Sequence, residues 1–121
     1  MARVLVHVTC GPEHPTKAAL GFLVAKAAAD DGHEVSMFLA GDAVQLLRDA
    51  VLDSLAGLGT GSLRESYDAV VASGAARLYA SGMSGKARGV GEAELEGKPV
   101  ELAMPNRLVE LALEADTVIT Y

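Results

Sequence analysis

The sequence predicts an α/β domain: three layers, with a parallel sheet of about five strands covered by helices on both faces. Three observations lead there. Strand-like and helix-like stretches alternate along the whole of the 121 residues. The first strand pattern, Val4-Leu5-Val6-His7-Val8-Thr9, is a continuous aliphatic and β-branched run, as expected of a strand covered on both faces. Aromatic residues make up only 4% of the chain while 50% is hydrophobic, so the core must be built from Val, Leu, Ala and Met. Such small side chains let helices approach a sheet closely.

After that first strand, Cys10-Gly11-Pro12-Glu13-His14-Pro15 excludes regular structure. A helix follows from near Thr16 to about Asp31, with only Lys17 and Lys26 charged before Asp30. Its apolar surface is wider than a single stripe, which predicts one face on the sheet and a second protein contact at a subunit interface. Asp30-Asp31-Gly32-His33 stops it, and Glu34 to Leu39 is the next strand, closing a right-handed βαβ unit. Ala40-Gly41-Asp42 turns into a short helix over Ala43 to Arg48. Asp42 reads as its N-cap, with cation binding or a role as a base as the alternatives.

Asp49 to Leu58 is a moderately apolar connection without a clear pattern. Gly57-Leu58-Gly59-Thr60-Gly61 is the most flexible piece, a candidate lid or pocket wall through Gly59 and Gly61. It has neither the spacing nor the preceding strand of a dinucleotide fingerprint, and no P-loop lysine follows. Ser62-Leu63-Arg64-Glu65 fits a capping box that opens a helix to about Ser73, and Gly74 leads into a strand from Ala75 to Ala80. Further on, a short helix is expected around Glu92 to Leu95 and a short strand over Pro99 to Ala103. The last helix opens with Pro105 at its first position and buries Leu108, Val109, Leu111, Ala112 and Leu113; Thr117 to Tyr121 is the final strand.

The chain makes one domain, residues 1–121, large enough to bury a core without staples. A formal charge of −6 argues against a general nucleic-acid or anionic-membrane binder. No apolar run approaches a membrane span, and the N-terminal one is too short for a signal sequence. The single cysteine, Cys10, excludes an internal disulfide and a Cys-only zinc site, and points to a reducing, cytoplasmic compartment. Cys10, His7 and His14 lack a standard metal-ligand spacing, so neither metal nor cofactor is expected. His7, within a buried strand, reads as a hydrogen-bonded core or interface histidine.

The stretch with the most chemistry is Ala80-Ser81-Gly82-Met83-Ser84-Gly85-Lys86-Ala87-Arg88-Gly89. Its glycines permit close turns with φ > 0, Ser81 and Ser84 are candidate N-caps, and Lys86 and Arg88 add two cations. A strand ending in such a turn before a helix leaves backbone N–H groups free to bind a small anion. The same turn also reads as a plain connection with solvated cations. Cys10 to Pro15, Gly41-Asp42 and Ser81 to Arg88 all follow strands, so they share the carboxyl edge of the sheet, where ligand sites gather.

With these residues in place, the chain resembles the DsrE/DsrF-like family. The resemblance rests on Pro15 to Phe22 leading into Ala28 to Val35, on Phe38 to Val44, on Gly61-Ser62-Leu63, on Gly82 to Gly89 and on the ending Ala115 to Tyr121. It spans essentially the whole length. The resemblance implies a three-layer, Rossmann-like α/β/α fold, a cytoplasmic location and a homo-oligomer, a trimer or hexamer. In sulfur-relay members of the family, a cysteine just before the Gly-Met-Ser turn accepts a persulfide and passes the sulfur to a partner, helped by helix amides and nearby cations. Here that position is Ser81, whose hydroxyl cannot carry a persulfide.

Two roles then remain open. In one, Ser81, Gly82, Met83, Ser84, Lys86 and Arg88, with His14, Gly59 and Gly61 around them, bind a small anion or a partner protein without catalysis. In the other, Cys10 carries the sulfur, with His14 raising its thiolate fraction; against this stands the ordinary reading of Cys10 as a small inert residue at a strand end. A structural subunit of a larger assembly is a third expectation.

Overall fold

The computed structural model describes residues 1–121. Five parallel strands form the sheet: β1 (Arg3–Val8), β2 (Glu34–Leu39), β5 (Ala76–Ser81), β6 (Val100–Ala103) and β7 (Thr117–Thr120), in the order β6-β5-β2-β1-β7. A separate hairpin pairs β3 (Ala56–Gly57) with β4 (Gly61–Ser62). The helices are α1 (Pro15–Asp30), α2 (Asp49–Ser54), α3 (Leu63–Ala72), α4 (Gly82–Arg88), α5 (Glu92–Leu95) and α6 (Pro105–Glu114), and a 3-10 helix spans Gly41–Leu47. The expected α/β class, strand number and three layers are all present.

Strand order decides how the layers are filled. From β1 the chain steps outward in one direction, to β2, β5 and β6, and right-handed crossovers keep every connection on one face. Only the last crossover, from β6 back past β1 to β7, runs the other way, so only α6 lies on the opposite face. The first face holds the main core. There Val4, Val6, Val8, Met37, Leu39, Leu78 and Ala80 meet Phe22 and Ala25 of α1, Tyr67 and Val70 of α3, and Val90 and Leu95 near α5. On the second face the buried cluster is four residues, Leu5, Phe38, Tyr79 and Leu111.

Helix α1 settles differently from the interface helix expected of it. The hairpin packs on its first turn, where Thr16 Oγ1 accepts from the Leu58 N–H at 3.1 Å, and α3 lies along its flank. None of its large apolar side chains is among the chain's exposed ones. Most of its wide apolar surface is thus answered within the chain. Three of the exposed apolar residues lie on the α6 side: Val109 (57% exposed) and Leu113 (81%) on α6, with Val118 on β7. That corrects the expected buried stripe of α6. Only Leu111 is buried, because the helix lies alone on its face with nothing covering its outer side.

Capping follows the sequence where it is local. Ser62 Oγ accepts from the Glu65 N–H at 3.3 Å, and Pro105 occupies the first turn of α6. No helix is long and apolar enough to cross a membrane.

Candidate functional site

The stretch read as a Gly/Ser turn is mostly a helix. Ser81 ends β5 and is the N-cap of α4, its Oγ accepting from the Ser84 N–H at 3.2 Å. Gly82 and Gly85 are helical; only Gly89, which closes α4, has the left-handed conformation, at φ 73°. Gly85 is small for another reason: a Cβ there would overlap the Val90 carbonyl as the chain folds back. The free amides expected of an open turn are therefore fewer. Ser84 is not a cap either, because its Oγ reaches across to accept from the Gly41 N–H at 2.8 Å.

That bond is one of several joining three strand ends. Arg88 Nε donates to Asp42 Oδ1 at 2.9 Å, and Arg88 also reaches the Ser84 carbonyl at 3.2 Å. Asp42 is thus not the N-cap, a position that falls on Ala40, but the partner of Arg88. A partner 46 residues away is invisible to a reading of neighbours in sequence. Gly11 packs so closely on this turn that a Cβ would overlap the Asp42 carbonyl. Arg48 Nη2 completes the set by donating to the Arg88 carbonyl at 2.6 Å, while its guanidinium pairs with Glu94. The loops after β1, β2 and β5 therefore form one interlocked edge, as the sheet topology suggested.

Chain direction explains why a cleft opens there. The connection leaving β5 turns to the main-core face and the one leaving β6 turns to the α6 face, so the ends of these neighbours diverge at Ser81 and Ala103. Gly82 lies beside Ala103 and Met104 at this point. Next to it, Gly82, Gly85, Lys86, Glu92 and Leu102 line an open groove of about 510 Å³. Met104, beside Gly82, and Met83, the next residue in α4, are both exposed. Lys86 has no ion-pair partner, so with Arg88 neutralised by Asp42 it is an unpaired cation of this edge, as is Lys17 in the first turn of α1.

The remaining candidates separate. Cys10 is half-buried at the same edge, and Gly11 ties its loop to Asp42. The exposed His14 donates its backbone N–H to the Gly11 carbonyl at 3.1 Å, and its imidazole makes no hydrogen bond with Cys10. Gly59 and Gly61 sit at the tip and exit of the hairpin, over the start of α1, and do not line the groove beside Ser81. No group of three or more His, Cys, Asp or Glu side chains is placed to hold a metal ion.

His7 lies on the α6 face in one register row with Phe38 and Tyr79. Its ring meets Phe38 edge-on at 6.0 Å, Phe38 stacks on Tyr79 at 6.4 Å, and the Arg107 guanidinium lies 5.3 Å over the Tyr79 ring. The expected hydrogen bond is missing at Nε2, which is buried without a partner. Desolvation holds the His7 pKa below its usual value. Arg107 is held more firmly charged than usual, chiefly by the Tyr79 hydroxyl and then by Glu110. These long-range pairings were not readable from spacing in the chain.

Comparison with known proteins agrees with this architecture. A sequence profile of the DsrE/DsrF-like family matches residues 2–121. Among solved structures, the chain is similar to the ychN protein from E. coli, with a TM-score of 0.76 at 17% identity over 100% of both chains. At that identity the likeness speaks for the fold. No curated protein matches. With the match running over practically its entire length, the chain belongs to the DsrE/DsrF-like family.

Proposed function

We propose that this chain is a cytoplasmic, homo-oligomeric binding member of its family, one that docks a partner protein or small anion at the carboxyl edge and carries no sulfur there. The observation behind this reading is the state of Ser81. Its side chain is 7% exposed, and its one hydrogen-bond partner is the Ser84 backbone amide. No side chain is placed to take its proton, and a hydroxyl does not form a persulfide. Around it stands a hydrogen-bonded rim with an unpaired cation, Lys86, and exposed Met83 and Met104. Adaptable apolar side chains beside a cation suit a docking surface better than a reaction centre.

The test is intact-mass spectrometry after incubation with a persulfide donor. The protein should keep its mass; an adduct of about 32 Da, one sulfur atom, overturns the reading. A second reading, sulfur carriage by Cys10, has its half-buried place at the same edge in its favour. It requires that adduct to map to Cys10 and to vanish in Cys10→Ser.

Self-assembly as a trimer or hexamer is part of the proposal. The uncovered apolar side of α6 and β7, with Val109, Leu113 and Val118, is the surface that fits it. Light scattering at micromolar concentration should give a multiple of the 12.5 kDa chain mass; a clean monomer removes this part.

A further inference from the structure

Helix α6 crosses its face of the sheet on a diagonal, from the carboxyl end of β6 to the amino end of β7, and leaves the amino-terminal corner over β2 and β5 uncovered. A groove of about 290 Å³ fills that corner, at the opposite end of the strands from Ser81. Its floor is Leu5, Ser36 and Tyr79, its helix wall is Leu111 and Glu114, and Arg77 projects into it from β5.

Arg77 is the odd one among six arginines. Arg3 pairs with Glu34, Arg48 with Glu94, Arg64 with Asp49, Asp53 and Asp68, Arg88 with Asp42, and Arg107 with Glu110. Arg77 makes no ion pair and no side-chain hydrogen bond, in a chain with six more acidic than basic groups. The Ser36 hydroxyl, in register beside it on β2, is likewise unengaged. Arg3 and Arg107 line the same groove, so three guanidinium groups face two carboxylates, Glu34 and Glu114. Glu34 is already paired with Arg3.

We propose that this amino-edge groove is a binding site for a small organic anion, its carboxylate or phosphate gripped by Arg77 and Ser36 and its small apolar body seated in the groove between β5 and α6. A guanidinium fork recognises either oxyanion through paired charge-assisted hydrogen bonds. The volume is at the low end for small-molecule sites, which limits the body to about one ring. Glu114 faces the same space and opposes an anion, so it sets an upper limit on the charge the groove accepts.

The test is a titration of the protein, followed by amide chemical shifts, with phenyl phosphate, benzoate and inorganic phosphate as separate probes. Phenyl phosphate or benzoate should give saturable shifts at Ser36, Ala76, Arg77 and Tyr79. Inorganic phosphate, lacking the apolar body, should bind at least about fivefold more weakly than phenyl phosphate. Arg77→Gln should weaken binding about tenfold, Arg77→Lys should fall between, and Glu114→Gln should tighten it about two- to threefold. Arg77 and Glu114 are exposed, so all three variants should melt like the parent. No saturation by about 20 mM, shifts centred on Ser81 to Arg88, or affinity indifferent to Arg77→Gln each overturns the proposal.

Discussion

The two faces of the sheet are built from the same strands yet solved by different means. One face is sealed by α1, α3 and the α4–α5 segment over a core cluster of 23 buried residues; the other has α6 alone over a cluster of four. The cause is topological. A chain that winds in one direction until its final crossover delivers nearly all of its helices to one side. Stability is therefore concentrated on the first face. The second buries its two aromatics but leaves Arg77, Val109, Leu113 and Val118 exposed, and with them the room for surfaces that meet other molecules.

The steepest way to break this comparison is to truncate matched core residues. Phe22→Ala on the sealed face should cost about 3–5 kcal/mol in urea unfolding, and Leu111→Ala under α6 about 2 kcal/mol. Equal losses would mean that the thin face bears as much of the fold as the thick one. Next comes Gly11→Ala, which forces a Cβ onto the Asp42 carbonyl and should destabilise by about 1–3 kcal/mol while disturbing the Arg88 pair. A neutral effect would show the carboxyl edge to be looser than its contacts imply.

A smaller effect concerns pH. The folded state depresses the His7 pKa below 6.5, so the unfolded chain binds the extra proton. Stability is then complete above about pH 6.5 and declines as pH falls from there toward the folded value, with a slope of less than one proton. His7→Gln should flatten that part of the curve, and an unchanged slope would assign it to other groups. The smallest effect on the single chain is predicted for Val109→Lys with Leu113→Lys. Folding stability should change by no more than about 0.5 kcal/mol, while assembly measured by light scattering should be lost. A large stability loss with unchanged mass would show that this side of α6 is needed for folding instead.

What the sequence made legible was what is local or periodic. Glu34–Leu39 and Glu92–Leu95 fall where the pattern placed them, and Ser62 and Pro105 do what their positions in a helix start demand. The misses depend on distance. Asp42 looks like a cap until Arg88 arrives from another strand end. Ser81 to Gly89 looks like an open turn because its glycines suggest left-handed backbone, whereas Gly85 is required by the Val90 carbonyl above it. Val109 and Leu113 look buried because an apolar residue on a helix does not announce whether a neighbour will cover it. Around the carboxyl-edge groove, Gly82 and Lys86 are among the lining residues and Ser81 lies buried beside them, while Gly59, Gly61 and the His14 ring lie apart from it.

The interlocked strand ends have a practical corollary. Cys10 is the lone thiol of the chain, one residue from the glycine pressed against Asp42, which in turn grips Arg88. A small fluorophore attached there would sit one link away from α4 without touching it. Any visitor that tugs on that helix should change the dye's signal, giving the protein a built-in listening post for molecules that dock at this edge.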